Sequence, residues 1–428
     1  MDKIRVLFVG EAVTLAHVVR PLELAKSLDG DLYDVVFSCD ERYRHIVERS
    51  DLSYHPLDSI PSETFLRRVY NAESLYKIDE LEKYVRDDLK MISDVRPDVV
   101  VGDFRLSLDI SCSVSGVPYV ALSNVHWSPH STIPCPVPEH PVVKLCGVTV
   151  SSWILRVALP VFFWVQTPGI NRLRKKFGLP PLRNAQEVFT RGTRTLYMDI
   201  PELYDADFLS DSEHCIGPVN WVPDIPLPEW WNEIDFHKRV VFVSPGSSGD
   251  ADVIRETITT LRDMDLEVIV ATAGRFDRSE LPGDVHSADF IPGLAAAEVS
   301  DIVICNGGSG MVYQSLTKGT PVLGIPSNID QFYVMEAVER QRAGELVRAS
   351  RATPKAIKTA VEGMLSNESY GNEARRMRRH IRNRDSRVEF VKALDELMRV
   401  DRSGAPVASQ RSDSPVPIVV SWVDGGRT

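Results

Sequence analysis

Residues 302–331, IVICNGGSGMVYQSLTKGTPVLGIPSNIDQ, constrain this chain more than any other stretch. An apolar run from Ile302 to Cys305 enters the glycine turn Asn306-Gly307-Gly308-Ser309-Gly310, which opens a helix-like segment closing near Lys318-Gly319. A second buried-strand pattern, Pro321 to Ile325, leads into the polar loop Asn328-Ile329-Asp330-Gln331. Strand, glycine turn, helix, strand is the repeating unit of a parallel sheet, so the fold class is α/β. Glycines let a backbone approach a ligand closely, and the free N–H groups of a helix's first turn favour an anion such as a diphosphate. The loop after the next strand lies at the same sheet edge, where open α/β sheets bind ligands. Asp330 and Gln331 are therefore placed to exchange hydrogen bonds with a polyhydroxylated group. Taken alone, the same residues also fit a plain βα turn and a solvated loop.

The chain has 428 residues, long enough for two domains with full cores. With 43% hydrophobic and 25% charged residues it has an ordinary globular composition. A formal net charge of -11, with no compensating basic stripe, argues against a nucleic-acid partner. Six cysteines are scattered without C-x-x-C spacing, which favours buried reduced thiols over disulfides or zinc ligands and points to a cytoplasmic setting. The chain runs from Met-Asp-Lys directly into a strand pattern, so no signal peptide is expected.

Lys3 to Val9 reads as a strand and Val18 to Leu28 as a helix. Between them a single glycine, Gly10, stands where a dinucleotide fingerprint needs three, which weakens a nicotinamide or flavin reading. His17 enters the helix at the strand's carboxyl end. A polar helical region, Glu73 to Val95, leads to the strand pattern Arg96-Pro97-Asp98-Val99-Val100-Val101-Gly102-Asp103. Parallel strands would bring Asp103 to the same edge as His17, where a carboxylate can hold one imidazole tautomer; capping a helix over Leu106 to Val114 is the structural alternative. After a strand at Val117 to Leu122, the loop with His126 and Trp127 overhangs the cleft as a candidate acceptor contact. The apolar stretch Val142 to Val165, with Trp153, is broken by Lys144, Arg156 and Pro160 and cannot span a bilayer. It suits core packing, an apolar acceptor, or peripheral contact with a membrane surface.

A proline- and tryptophan-rich segment, 217–238, separates a second strand-loop-helix start: Arg239 to Val243, then Gly246-Ser247-Ser248, then Ala251 to Asp263. Asp205-Ala206-Asp207 and Asp250-Ala251-Asp252 resemble a D-x-D metal motif, but neither ends a clear strand, and the second fits a helix start; no essential metal is expected.

The ordered set of motifs resembles the family 1 glycosyltransferases of the GT-B fold, which include UDP-glycosyltransferases and bacterial macrolide-type enzymes. The resemblance runs through nearly all of Lys3 to Val400. It implies that Gly307, Gly308, Ser309 and Gly310 bind the donor diphosphate together with Gly246, Ser247 and Ser248. Asp330 and Gln331 would hold the sugar, and Phe290 and Ile291 would meet the base. Two departures stand out: Asn306 replaces the family's histidine and Gly293 its glutamine. His17 matches the family's catalytic base and Asp103 its partner. Trp153 falls in the region that in the family lines the acceptor pocket or packs beneath it, which would add it to His126 and Trp127 as an acceptor contact.

The resulting expectation is two Rossmann-like, doubly wound α/β domains facing across a cleft. Residues 1–216 would bind the acceptor and 239–400 the donor, the last helix crossing back, with 401–428 a disordered tail. The expected activity is inverting transfer from a UDP- or dTDP-sugar to the hydroxyl of a small apolar or aromatic acceptor. No cofactor beyond the nucleotide sugar is required. Three alternatives stay open: a lipid-linked sugar transferase, a nucleotide-sugar epimerase, and a non-catalytic nucleotide-sugar-binding protein.

Overall fold

The computed structural model describes residues 3–71, 73–131, 133, 136–139, 161–206, 209–246 and 249–403. Trp153, Ser247, Ser248, most of the apolar 142–165 stretch and all of the tail beyond residue 403 lie outside the described residues.

Two wholly parallel sheets are present. The first orders its strands β3-β2-β1-β4-β5-β6-β7, with β1 (Ile4–Gly10), β2 (Tyr33–Cys39), β3 (Ser53–Pro56), β4 (Val99–Asp103), β5 (Tyr119–Ser123), β6 (Arg194–Tyr197) and β7 (Glu213–Cys215). The second runs β10-β9-β8-β11-β12-β13, with β8 (Arg239–Ser244), β9 (Leu266–Ala271), β10 (His286–Ala288), β11 (Ile302–Cys305), β12 (Val322–Gly324) and β13 (Gly344–Leu346). Strands such as β4 and β11 are buried along their whole length, which is why they read as unbroken Val/Ile runs rather than alternating ones.

In each sheet the order reverses beside the first strand, creating a crevice at the carboxyl edge. Gly10 pairs with Asp103 at the first reversal, and Ser244 with Cys305 at the second. Both glycine-bearing turns and the His17 and Asp103 positions therefore sit at switch points.

The final helix, Ser386–Ser403, packs on the first sheet although it follows the second in the chain. Phe390, with no exposed surface, lies 5.8 Å from the ring of Phe8. Arg387 donates to Glu23 at 2.9 Å, and Arg194 to Glu396 at 3.1 Å. A further apolar cluster joins the two sheets directly, with Val125, Tyr197, Ile200 and Leu203 against Val312, Tyr313, Leu316 and Val334. The polar helical region differs from the sequence expectation. Within Glu73 to Val95 the helix is Ile78–Val95, so Glu73 to Lys77 lie outside it, and a separate helix, Ser62–Tyr70, precedes the region. That preceding helix lends Phe65, Leu66 and Val69 to the cleft wall.

Candidate active site

His17 lies in the first turn of the helix Ala16–Ala25, directly after β1. Its Nδ1 is 2.9 Å from Asp103 Oδ1, at the end of the adjacent β4. Asp103 does not cap the following helix, Leu108–Ser115, whose N-cap is Ser107. Asp103 also receives Arg20 Nε on Oδ2 and Arg20 Nη2 on Oδ1, each at 3.0 Å. Arg20 is one helical turn beyond His17, so the helix repeat itself brings both onto one carboxylate. With Nδ1–H donated to Asp103, Nε2 is the ring nitrogen left to take a proton.

Phe104 covers the imidazole. Its ring centroid is 4.5 Å away with the planes 17° apart, and its backbone holds φ 62°, a left-handed conformation costly for a bulky side chain. The loop is held by Arg105, whose fully buried guanidinium bridges Glu11 at 2.9 Å and Asp88 at 3.0 Å and lies 3.6 Å over the Tyr84 ring. Burial pushes both carboxyls above their usual range against the pull of Arg105. This buried cluster ties the loop after β1 to the loop after β4, the two loops that adjoin the His17 and Asp103 pair.

From Arg20 a chain of hydrogen bonds runs toward the second sheet. Arg20 Nη1 donates to Asn124 Oδ1 at 3.0 Å, and Asn124 Nδ2 donates to both oxygens of Asp199 at 3.1 Å. The Tyr313 hydroxyl donates to Asp199 Oδ1 at 2.8 Å. Burial raises the Asp199 carboxyl, opposed by the charge of His126 and by its hydrogen bonds.

Tyr313 belongs to the helix Ser309–Lys318, which starts at the glycine turn and has no acidic residue in its first turn, leaving its N-terminus open to an anion. Gly307 has φ 79°, and a Cβ there would stand 2.5 Å from Met335 Cγ, so only glycine fits. Asn306 Oδ1 accepts from the Gly308 N–H at 3.1 Å, and its side chain fills the space beside Gly246, which has φ 60°. Asn306 thus shapes the turn that the family histidine occupies.

The Asp330 and Gln331 pair opens the helix Ile329–Arg340. Gln331 is almost fully buried, and its Oε1 accepts from the Ser327 and Asn328 N–H groups at 2.9 and 3.3 Å, one half of a capping box with Asn328. Asp330 faces the other way: His126 Nε2 lies 2.9 Å and Trp127 Nε1 3.3 Å from its Oδ1. Although burial opposes ionisation, the hydrogen bond and charge of His126, with the charges of His17 and Arg20, hold the Asp330 carboxyl below its ordinary value.

One cavity of ≈ 860 Å³ touches all of these groups: His17, Asp103, Gly246, Asn306, Gly308, Ser309, Gly310, Asp330 and Gln331 line it. Gly307 is packed behind the turn rather than in the lining. On the first-domain side its wall is apolar, with Phe65, Phe104, Trp127, Phe162, Phe163 and Phe189. On the second-domain side Phe290 is 56% exposed, while Ile291 is buried at its side. A Cβ on Gly293 would stand 2.1 Å from Gln314 Oε1, so the glycine admits a glutamine from the neighbouring helix instead of carrying one. His126 is absent from the lining and its side chain has no exposed surface, which corrects its reading as an acceptor contact: the ring is too deep to touch a ligand. Arg20, Phe104, Asn124, Asp199 and Tyr313 join the site without a motif to mark them in the sequence. Only the i, i+3 spacing of His17 and Arg20 offered a signal. Among the described residues no group of three His, Cys, Asp or Glu side chains gathers as metal ligands, and no helix is long and apolar enough to cross a membrane.

Residues 255–397 match the family model described as Erythromycin biosynthesis protein CIII-like, C-terminal domain. A PGL/p-HBAD biosynthesis glycosyltransferase of Mycobacterium tuberculosis (strain H37Ra) is 40% identical over 374 residues, 87% of each chain. A PGL/p-HBAD biosynthesis rhamnosyltransferase of Mycobacterium bovis (strain BCG) is 38% identical over 403 residues, 94% of this chain and 89% of the relative. Among solved structures, the glycosyltransferase VinC in complex with dTDP is alike in fold, with a TM-score of 0.66 at 16% identity over 94% of this chain and 100% of VinC. Sequence identity of that extent, on two doubly wound sheets that share one cleft, makes the chain a member of the nucleotide-sugar-dependent glycosyltransferases of the GT-B fold, the group that contains the PGL/p-HBAD enzymes.

Proposed function

We propose that this enzyme transfers a sugar from a dTDP- or UDP-sugar to the hydroxyl of an apolar, aromatic acceptor with inversion at the anomeric carbon. The observation that carries this reading is the single cavity in which the His17 and Asp103 pair, at the end of an apolar chamber, faces the glycine turn and Asp330. His17 Nε2 takes the acceptor's hydroxyl proton, and the oxygen attacks the anomeric carbon from the face opposite the diphosphate. The bond from that carbon to the diphosphate oxygen breaks, and the nucleoside diphosphate leaves. Asp103 orients the ring and stabilises the imidazolium. The first-turn N–H groups at Ser309 and Gly310 hold the departing charge, a task in which Asn306 contributes no formal charge. The relatives named for PGL/p-HBAD biosynthesis support an aromatic acceptor, the rhamnosyltransferase among them a deoxysugar donor, and VinC with dTDP a thymidine nucleotide.

One observation favours a lipid-borne acceptor as a second reading. On the helix over residues 161–176, Phe162 and Phe163 line the chamber while Val161, Trp164 and Val165 are exposed at 49%, 71% and 61%, so chamber and exposed apolar face adjoin. Both readings are tested by offering dTDP-rhamnose, dTDP-glucose and UDP-glucose with phenolic esters of increasing alkyl length, following nucleotide release, acceptor mass gain and product anomeric configuration. Transfer with inversion is expected, falling by about 10²–10⁴ in His17→Ala while donor binding persists. A kcat/KM that climbs with alkyl length supports the lipid-borne acceptor. Donor binding without transfer in the wild type, or retained anomeric configuration, overturns the proposal.

A further inference from the structure

We propose that His126, assisted by Trp127, is a positioning residue of the sugar subsite: from the acceptor-side domain it fixes the Asp330 carboxylate so that one oxygen is presented to a hydroxyl of the donor's sugar. This rests on the transfer reading above and assigns the specificity end of that site.

His126 sits in the short 3-10 turn Val125–Trp127 that follows β5 of the first sheet. Asp330 sits in the first turn of the helix Ile329–Arg340 of the second. The bond between them, 2.9 Å from Nε2 to Oδ1, therefore crosses the cleft. Its two ends are unequally placed: the His126 side chain has no exposed surface, whereas that of Asp330 is 43% exposed and lines the cavity. A ring so placed acts on a ligand only through the carboxylate it holds.

Three further features fit that role. The imidazole stacks on Tyr333, three residues beyond Asp330 on the same helix, with centroids 5.1 Å apart and planes at 15°, so its direction is set by packing. With Nε2–H directed at Asp330, Nδ1 is left as a buried atom without a hydrogen-bond partner, an arrangement that a purely structural histidine has no reason to keep. Trp127 Nε1, at 3.3 Å, falls on the same Oδ1, so both donors converge on one oxygen and leave Oδ2 for the sugar. An unrestrained aspartate rotates about two bonds and loses that freedom when it binds. Here two donors have already fixed it, so little ordering remains to oppose sugar binding. The subsite is complete only when the two domains approach as closely as they do in this structure.

The test separates the sugar from the nucleotide. Calorimetric binding of UDP and dTDP alone is compared with that of UDP-glucose, dTDP-glucose and dTDP-rhamnose in wild type, His126→Phe and His126→Gln. Phenylalanine keeps the stack on Tyr333 and loses the donor; glutamine keeps a donor. The expected result is that His126→Phe weakens the best-bound nucleotide sugar about tenfold or more, leaves the free nucleoside diphosphates within about twofold, and leaves the acceptor KM unchanged. His126→Gln recovers part of the loss. Equal weakening of nucleotide and nucleotide sugar, or a rise in acceptor KM with unchanged donor binding, overturns the proposal. Should thermal melts show that the His126 variants do not fold, Trp127→Phe carries the test, with a smaller effect in the same direction expected. Failure of the wild type to bind any of these nucleotides would overturn the donor reading and this proposal together. Normal transfer with unaltered sugar binding in the variants would overturn this proposal alone.

Discussion

At the residue scale, Arg20 is the feature that most distinguishes the site from a plain histidine-aspartate pair. Its guanidinium engages both oxygens of Asp103 and comes within 2.9 Å of His17 Nδ1. An arginine there fixes the plane of the Asp103 carboxylate by gripping both of its oxygens. The charged groups around His17 are then Asp103, Arg20 and, across the cleft, Asp330. Replacing Arg20 with Met removes both bonds to Asp103 while conserving much of the length of the side chain. As Asp103 loses its clamp, kcat/KM should fall about tenfold or more with donor binding retained. Steady-state kinetics on both proteins check this. An unchanged kcat/KM would mean that Asp103 keeps its orientation without Arg20.

At the element scale, the helix Ile329–Arg340 carries both the cavity-lining Asp330 and a partly buried acid. Glu336 is pushed up to about 6 from 4.5, first by burial and then by the like charge of Glu339, against Arg340 and Arg348. A carboxyl that holds its proton more tightly when folded contributes stability that is complete below its unfolded pKa of about 4.5 and is lost as the pH rises through about 6. Glu336→Gln, which has no proton to lose, should therefore stabilise the protein by about 1 kcal/mol at pH 8 and have little effect at pH 4, allowing for solvent at a partly exposed group. Denaturant titrations at the two pH values measure it. An equal effect at both would place the benefit in packing rather than charge.

At the scale of the whole molecule, the interface between the sheets is apolar at its centre and carries a buried polar bond. Tyr313, from the helix that opens at the glycine turn, donates to Asp199, a fully buried carboxyl of the first domain that is also held by Asn124 and the Val125 N–H at 2.7 Å. Tyr313→Phe conserves shape and removes one donor from a carboxylate that water cannot reach. A loss of about 1–3 kcal/mol is expected, readable as a lower denaturation midpoint. The same variant should weaken transfer more than donor binding, because Asp199 continues through Asn124 and Arg20 to the His17 pair. Unchanged stability would show that Asp199 is protonated in the native state and makes do without the donor.

Much of this was legible in the chain. Short apolar runs marked β1, β4 and β11, because a parallel strand buried on both faces must be largely apolar until it reaches the edge where ligands bind. The turn at Gly307 and the meeting of His17 with Asp103 at one sheet edge followed from that local grammar, while the two-domain GT-B architecture came from the resemblance of the ordered motifs to the family 1 glycosyltransferases. The Asn328 and Gln331 capping box is equally local, four residues that close on one another. What the chain alone did not determine is which groups meet across long sequence separations. His126 reaching Asp330, Tyr313 reaching Asp199, and Gln314 occupying the space beside Gly293 each depend on how two sheets and their helices close on one another. Periodicity and capping are set by neighbours within a few residues, whereas a hydrogen bond across the cleft is set by packing that only the assembled tertiary structure decides.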